Sequence, residues 1–379
     1  MKTGIRDFVR HQGFDRCRFA RIGPAPHFAE YCSWLESGAH GEMAWLARDP
    51  ARRSDPSLVL PEAKTLLLLA KNYYQGPSTR AHPGRIARYA WGSDYHDLML
   101  AAMKPIDAFL RDLGGRQKCY VDTGPILERD FAAASGLGWQ GKSTMCLNER
   151  LGTWFFLGVI LTTLEIEPDG PAKNRCGRCT RCIDVCPTRA ITQPHRLDSR
   201  RCISYLTIEN KGPIPLEFRK AIGDRIYGCD DCLEVCPWNR FAVESNETRF
   251  RLPDEVRTLT LRELASLTEV EFRTLFRHSP IKRIKHARFV RNICVALGNV
   301  GTKEDLPVLR RLVNDQDLLI SEHASWAVQE IARRISLACN EGVATAQHVI
   351  VASSASFVRS SKSPRQASQR QNKRGPTGA

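Results

Sequence analysis

The residues with the strongest chemical signal are eight cysteines in the middle of the chain. Cys176-x2-Cys179-x2-Cys182-x3-Cys186-Pro187 places three thiols on one tight loop and a fourth just beyond it. Three thiols at that spacing can reach three irons of a cubane, while the fourth points away and ligates a second cluster. A zinc site needs only four ligands in paired spacing, and this triple spacing is rare for it. Cys229-x2-Cys232-x3-Cys236-Pro237 repeats the last three positions of the run. Tyr227-Gly228 stand where another cysteine is expected, and Cys202, far upstream, is the natural substitute. Exchange of the fourth ligands then gives Cys176, Cys179, Cys182 and Cys236 to one [4Fe–4S] cluster. The other takes Cys186, Cys202, Cys229 and Cys232. Two adjacent cubanes make an electron conduit. The remaining six cysteines (Cys17, Cys32, Cys119, Cys146, Cys294 and Cys339) are scattered, as packing residues are.

Two further strings look chemical and carry less. Gly136-LGWQ-Gly141-Lys142-Ser143 satisfies the Walker A pattern letter for letter. A phosphate loop follows a buried strand and opens a long helix. Here a helical segment, Ile126 to Ser135, precedes, and the following residues run through Asn148 and Gly152 into a strand, so ATP is not expected. The glycines suit a loop lying close against another large cofactor. Asp94-Tyr95-His96 begins like a cobalamin-histidine motif, but Met99 replaces its glycine. A helix N-terminus capped by Ser93 or Asp94 explains the same residues.

These side chains need a scaffold, and the periodicities describe one. Thr65–Ala70, TLLLLA, is an apolar run suited to a buried strand, and Leu151–Leu164 to one or two more. Leu98, Ala101, Ala102, Ile106, Phe109, Leu110 and Leu113 repeat at helical spacing and stop at Gly114-Gly115. From about Asp254 the pattern is helical. Ile281, Ile284, Ala287, Val290, Cys294 and Leu297 form one stripe, ended by Gly298 and Gly301. Thr302 with Asp305 reads as a capping box for a helix bearing Leu306, Leu309 and Leu312. A third stripe holds Ala324, Ala327, Val328, Ile331 and Ile335. The last three segments resemble a HEAT-like helical repeat of about one and a half units.

The expected architecture is α+β and multidomain. Residues 1–165 form an N-terminal α/β domain, 166–250 a two-cluster domain, 251–344 a C-terminal α-helical HEAT-like domain, and 345–379 a disordered basic tail. The 379 residues carry 56 Lys and Arg against 41 Asp and Glu, a net +15. Six uncompensated cations lie in 342–379, leaving +9 for the rest. A body that basic suggests a polyanionic partner. The longest apolar run is shorter than the ~18–20 residues of a spanning helix, so no membrane partner is expected. The opening MKTGIRDFVRHQGFDRCRFA has neither an apolar signal core nor a twin-Arg pair. A reducing cytoplasm is the expected compartment, where clustered cysteines suggest metal rather than disulfides.

Taken together, RYAWGSDYH (Arg88–His96), VDTGPILERDFAAASGLGWQGKST (Val121–Thr144), LGTWFFLG (Leu151–Gly158), the double cysteine run and the helical C-terminus resemble the epoxyqueuosine reductase family. The likeness spans roughly residues 1–340. It implies a cobalamin-binding N-terminal domain, a bacterial-ferredoxin-like middle domain, and removal of the epoxide oxygen of epoxyqueuosine at the tRNA wobble position. Asp122 matches the family's proton donor. Arg53, Tyr89, Lys142, Cys146 and Leu157 fall in segments that line the cobalamin site in such proteins, and Ser204 is expected near both cluster and corrin. Lys211 and the basic face of Lys282, Arg283, Lys285, Arg288 and Arg291 are expected to meet tRNA phosphates. The implied partners are tRNA and an external electron donor of ferredoxin or flavodoxin type, with the enzyme a monomer. The nearest rivals are a reductive dehalogenase, normally exported and without the helical repeat, and a ferredoxin-type electron carrier.

Overall fold

The run TLLLLA is unbroken because both of its faces are covered. In the computed structural model, which describes residues 1–77 and 84–357, it forms the second strand of a four-stranded sheet. The strands are β1 (Arg16–Arg21), β2 (Thr65–Asn72), β3 (Gln117–Tyr120) and β4 (Phe155–Thr162). Their order is β1-β2-β4-β3, and every neighbouring pair is antiparallel. Side chains alternate across a strand. Leu66 and Leu68 therefore join Val159, Leu161, Phe131 and Leu137 on one face. Leu67 and Leu69 join Phe19, Ile160, Met99 and Ile106 on the other. The expected α/β domain is thus an α+β layer structure: helices cover both faces, but the sheet contains no parallel pair.

On the second face lies α1 (Tyr95–Asp112). It starts where the sequence places it, because Asp94 accepts a hydrogen bond from the His96 backbone N–H. Pro105 sits inside α1 without ending it. On the first face lies α2 (Glu128–Ala134). The Walker-like string runs into a hairpin of Trp139–Gln140 with Cys146–Leu147, so no helix follows Lys142 and Ser143. Its glycines serve the chain itself: a Cβ on Gly138 would lie 2.2 Å from the Leu147 carbonyl oxygen.

The cysteine segment contains two short helices, Arg181–Asp184 and Asp231–Glu234, each following a cysteine loop. Between them lies α3 (Ile203–Ile208), which begins at Cys202. Ile208 and Tyr227 share a core with Ile86, Ala90 and the C-terminal helices. The helical region and the cluster segment are therefore braced by the same apolar contacts.

The stripe from Ile281 to Leu297 is two elements. A 3₁₀ turn, Pro280–Ile284, precedes α4 (Lys285–Val300), and Lys285 itself has φ +61°. Spacing of i, i+3 is satisfied by three residues per turn as well as by 3.6, so periodicity could not separate them. Gly298 lies within α4 rather than ending it, because a Cβ there would stand 2.2 Å from the Trp326 ring. Gly301 caps the helix, and the Thr302–Asp305 capping box is present ahead of Leu306–Val313.

Met1–Ile331 packs as one compact unit, and Ala332–Ala379 is a second. The last helix, Leu318–Phe357, runs past the boundary placed at 344, and the basic residues from 358 on lie outside the described residues. Among the described residues no helix is long and apolar enough to cross a membrane.

Candidate active site

The eight thiols fall into two electrostatic groups. Burial, joined by the charges of Cys176, Cys182 and Cys179, pushes the Cys236 thiol up to about 11. Burial and the same neighbours, Cys176 and Cys179, raise Cys182. Burial and the charges of Cys202, Cys229 and Cys186 hold Cys232 well above the ordinary thiol range. Cys202 is raised by burial and faces Cys186, while the backbone N–H groups of Tyr205 and Ser204 favour its thiolate. Each group thus contains the four cysteines that the spacing assigns to one cluster. Among the described residues no three His, Cys, Asp or Glu side chains converge closely enough to hold a single metal ion. A cubane spreads its four thiolates more widely than one tetrahedral ion does. The donor set, four cysteines per group, suits [4Fe–4S].

Asp122 lies on the turn between β3 and α2. It is an exposed non-glycine residue at φ +61°, a left-handed conformation that the surroundings must hold in place. Two partners do so. The Tyr95 hydroxyl donates to Asp122 Oδ2 at 3.0 Å, and the Asp122 backbone N–H donates to Glu128 Oε1 at 3.1 Å. Tyr95 is fixed by stacking on Phe156, with centroids 4.3 Å apart and planes 5° from parallel. Burial, with the Asp122 charge next, pushes the Tyr95 phenol far up, so it remains a donor. Glu128 is half-buried, and burial followed by the Asp122 charge pushes its carboxyl up to about 8.

Tyr89 joins the same group. Its ring lies 6.1 Å from those of Tyr95 and Tyr227, and burial holds its phenol well above the ordinary range. Arg283 acts electrostatically on all three tyrosines and forms an ion pair with Glu209 at 2.8 Å. Lys282 stands 3.4 Å from Asp94, the cap of α1. The structure therefore brings two of the expected tRNA contacts, Lys282 and Arg283, to the rim of the Asp122 site.

Other expected residues are placed more variously. Lys142 Nζ donates to the carbonyls of Gly177 at 2.8 Å and Cys179 at 3.0 Å, tying the glycine-rich hairpin to the first cysteine loop. Cys146 is buried in that hairpin, and burial pushes it up to about 12. Leu157 is half-buried on β4, and Ser204 half-buried in the first turn of α3. Arg53 donates to the Trp45 and Arg48 carbonyls at 3.2 Å each. Lys211 and Lys285 are exposed. Arg291 corrects the expectation of a basic face meeting tRNA phosphates: it is fully buried and donates to the carbonyls of Leu206, Asn210 and Gly212 and to Asn292. Arg288 likewise bonds the Ile284 and Ile208 carbonyls. A charge pattern cannot distinguish a cation facing water from one satisfying buried carbonyls.

Tyr95 and Glu128 were missed as functional residues. Tyr95 lies inside the Asp94-Tyr95-His96 string, whose motif likeness points to the histidine and not to the phenol. Glu128 gave no signal beyond its place six residues after Asp122.

The geometry has counterparts among known proteins. A family model described as "4Fe-4S double cluster binding domain" matches residues 175–239, and one described as "Epoxyqueuosine reductase QueG, DUF1730" matches residues 53–123. An epoxyqueuosine reductase of Xanthomonas campestris is 43% identical over 338 residues, covering 86% of this chain and 95% of the relative. That of Escherichia coli K12 is 40% identical over 311 residues, covering 80% and 82%. Among solved structures, a selenomethionine-labelled epoxyqueuosine reductase aligns with a TM-score of 0.82 at 30% identity, covering 87% of this chain and 90% of that one. A second, with an epoxyqueuosine-modified tRNA-Tyr stem loop, aligns with a TM-score of 0.81, again at 30% identity and the same coverage. With that identity sustained across nearly the whole length of its relatives, the chain belongs to the epoxyqueuosine reductase family.

Proposed function

We propose that the chain reduces epoxyqueuosine in the wobble position of tRNA to queuosine, the last step of that nucleoside's biosynthesis. The observation that carries this reading is the near full-length identity to epoxyqueuosine reductases together with the two groups of four thiols. An electron carrier needs no Asp122 turn, and an exported dehalogenase is not favoured by the family match. The cofactors are two [4Fe–4S] clusters and cobalamin. Cys176, Cys179, Cys182 and Cys236 hold one cluster, and Cys186, Cys202, Cys229 and Cys232 the other.

Cobalamin supplies a strongly reducing metal centre when bound. The residues present suit a large amide-rimmed ring. His40 Nδ1 is buried with no hydrogen-bond partner among the described residues. It lies two residues from Glu42, whose backbone N–H donates to the hydroxyl oxygen of Tyr205, the neighbour of Ser204, at 2.8 Å. Arg53, Tyr89, Lys142, Cys146 and Leu157, in the domain spanning 1–165, would line the ring's site together with Ser204 of the two-cluster domain.

Deoxygenation of an epoxide to an alkene takes two electrons and two protons and releases water. Asp122 gives a proton to the leaving oxygen. Tyr95 orients its carboxyl, and Glu128 holds its backbone. The tRNA arrives over Lys211, Lys282, Arg283 and Lys285, its phosphates neutralised by that rim. The helices of 251–344 make up the HEAT-like domain. Anaerobic incubation with epoxyqueuosine-tRNA, cobalamin and a strong reductant, followed by nucleoside mass analysis, tests the reading. Conversion to queuosine is expected; an intact epoxide with both clusters loaded would refute it.

A further inference from the structure

The two cysteine loops are alike in spacing and opposite in charge. Around the first, residues 173–189 hold five cations, Lys173, Arg175, Arg178, Arg181 and Arg189, against one acid, Asp184. All five cations are exposed. Arg175 pairs with Glu149 at 2.5 Å. Among the described residues, Lys173, Arg178, Arg181 and Arg189 have no ion-pair partner, and neither has nearby Arg240.

The second loop reads Cys229-Asp230-Asp231-Cys232. Its acids face inward: Asp230 accepts the Arg88 backbone N–H at 2.7 Å, and Asp231 pairs with Arg225 and Arg85. No residue from Gly228 to Leu233 is exposed. The first loop is thus the one that offers unpaired exposed charge to a partner protein, and that charge favours an acidic one.

The surface also has a seat. A shallow cavity of about 690 Å³ lies between the two short cluster helices, with Val185, Val235, Cys236 and Pro237 on its floor and Arg181 and Arg240 on its rim. Two acids also line it: Asp184, which accepts from the Thr180 hydroxyl at 2.7 Å, and Glu234, whose charge is met by Arg88 at 3.8 Å. Exposed Phe241 and Val243 follow immediately in the chain, with the Arg240 guanidinium 4.5 Å from the Phe241 ring centroid. An apolar floor beside a loop with an excess of exposed cations is the anatomy of a steered, transient protein interface.

We infer that an acidic one-electron carrier, an iron–sulfur or flavin protein, docks on this basic collar and delivers electrons to the cluster of Cys176, Cys179, Cys182 and Cys236. The inference rests on the cluster assignment above. In each docking event the carrier is oxidised by one electron and the cluster reduced by one. Two events supply the electron pair that, with two protons, converts the epoxide to alkene and water. A tRNA is also a polyanion, but it must bring its base to Asp122, whose rim has its own cations in Lys282 and Arg283.

The test is anaerobic stopped-flow reduction of the oxidised, cluster-loaded enzyme by reduced flavodoxin, compared with reduction by dithionite. Arg178→Glu with Arg240→Glu is expected to lower the second-order rate with flavodoxin at least about tenfold at low salt, and to abolish its salt dependence. Reduction by dithionite should stay within about twofold, since a small reductant needs no docking face. An unchanged flavodoxin rate in the variant would overturn the inference. Should that variant lose iron, Lys173→Glu with Arg240→Glu, outside the cysteine run, takes its place. A salt-independent flavodoxin rate in the unmodified enzyme would overturn the inference on its own. Lost affinity for an epoxyqueuosine stem loop, with the flavodoxin rate intact, would make the collar an RNA surface instead. Failure of the functional reading looks different: dithionite-reduced enzyme, cobalamin present, would leave the epoxide intact whatever the carrier kinetics.

Discussion

The phenol of Tyr95, in the first turn of α1, donates to Oδ2 of Asp122 at 3.0 Å, joining a helix start to a strained turn at the end of β3. Removing the hydroxyl leaves the ring free to stack on Phe156. Tyr95→Phe should therefore fold normally and lose about 1.5–3 kcal/mol of positioning, the worth of a hydrogen bond to a charged group. That corresponds to a fall of about 10–100-fold in single-turnover rate, with tRNA affinity unchanged. Asp122→Asn should retain both clusters and cobalamin and abolish turnover. Near-normal turnover would remove Asp122 from the acid role.

Glu128 gives the fold a pH dependence of its own. Its carboxyl ionises at about 8 in the folded chain, against an ordinary value of 4.5. Between those values the folded state keeps a proton that the unfolded state has released, so stability falls as pH rises through the window. Glu128→Gln should flatten that slope. Its melting temperature should exceed that of the unmodified chain at pH 8 to 9, by an amount equivalent to roughly 2 kcal/mol after solvent screening, with a much smaller difference at pH 5. Parallel slopes for the two proteins would show that Glu128 does not titrate in this range.

The thiol groups predict which cysteines are interchangeable in their effect. Cys176→Ala and Cys236→Ala should each cost one cluster, about four of about eight irons per chain, and the double variant should cost no more. Cys176→Ala combined with Cys202→Ala should remove both. Iron analysis and EPR of anaerobically prepared protein distinguish these patterns, and any other pairing would redraw the ligand sets.

Buried and exposed cations on one stretch of chain should behave oppositely. Arg291→Leu leaves three carbonyls and Asn292 without their donor and should destabilise the fold by about 3–5 kcal/mol, seen in thermal unfolding. Lys285→Ala should leave the melting temperature within a degree or so, weaken tRNA binding, and reduce its salt slope by about one unit. Arg283→Ala should do the same and also lower turnover, because Arg283 reaches the tyrosines beside Asp122.

Much of this was legible because some residue patterns admit few geometries. The eight cysteines specified two groups of four since thiol spacing on a tight loop is nearly a structural coordinate. Asp94 and the Thr302–Asp305 pair marked helix starts because a cap satisfies backbone donors that nothing else nearby can. The Ile281–Leu297 stripe was less informative, because 3₁₀ and α turns share the i, i+3 spacing. Arg291 was misread because its partners, the Leu206, Asn210 and Gly212 carbonyls, are distant in sequence and invisible as letters. The same holds for Tyr95 and Glu128, whose roles exist only once β3 delivers Asp122 between them.

Each thiol group draws members from stretches far apart in sequence: Cys236 closes the group begun at Cys176, and Cys186 and Cys202 join Cys229 and Cys232. A nascent chain cannot complete the second group before Cys232 or the first before Cys236. During synthesis, then, loading of both clusters must wait until the ribosome has passed the Cys236 codon and both stretches have met, so that complete metallation follows synthesis of the whole cysteine segment rather than aiding early folding.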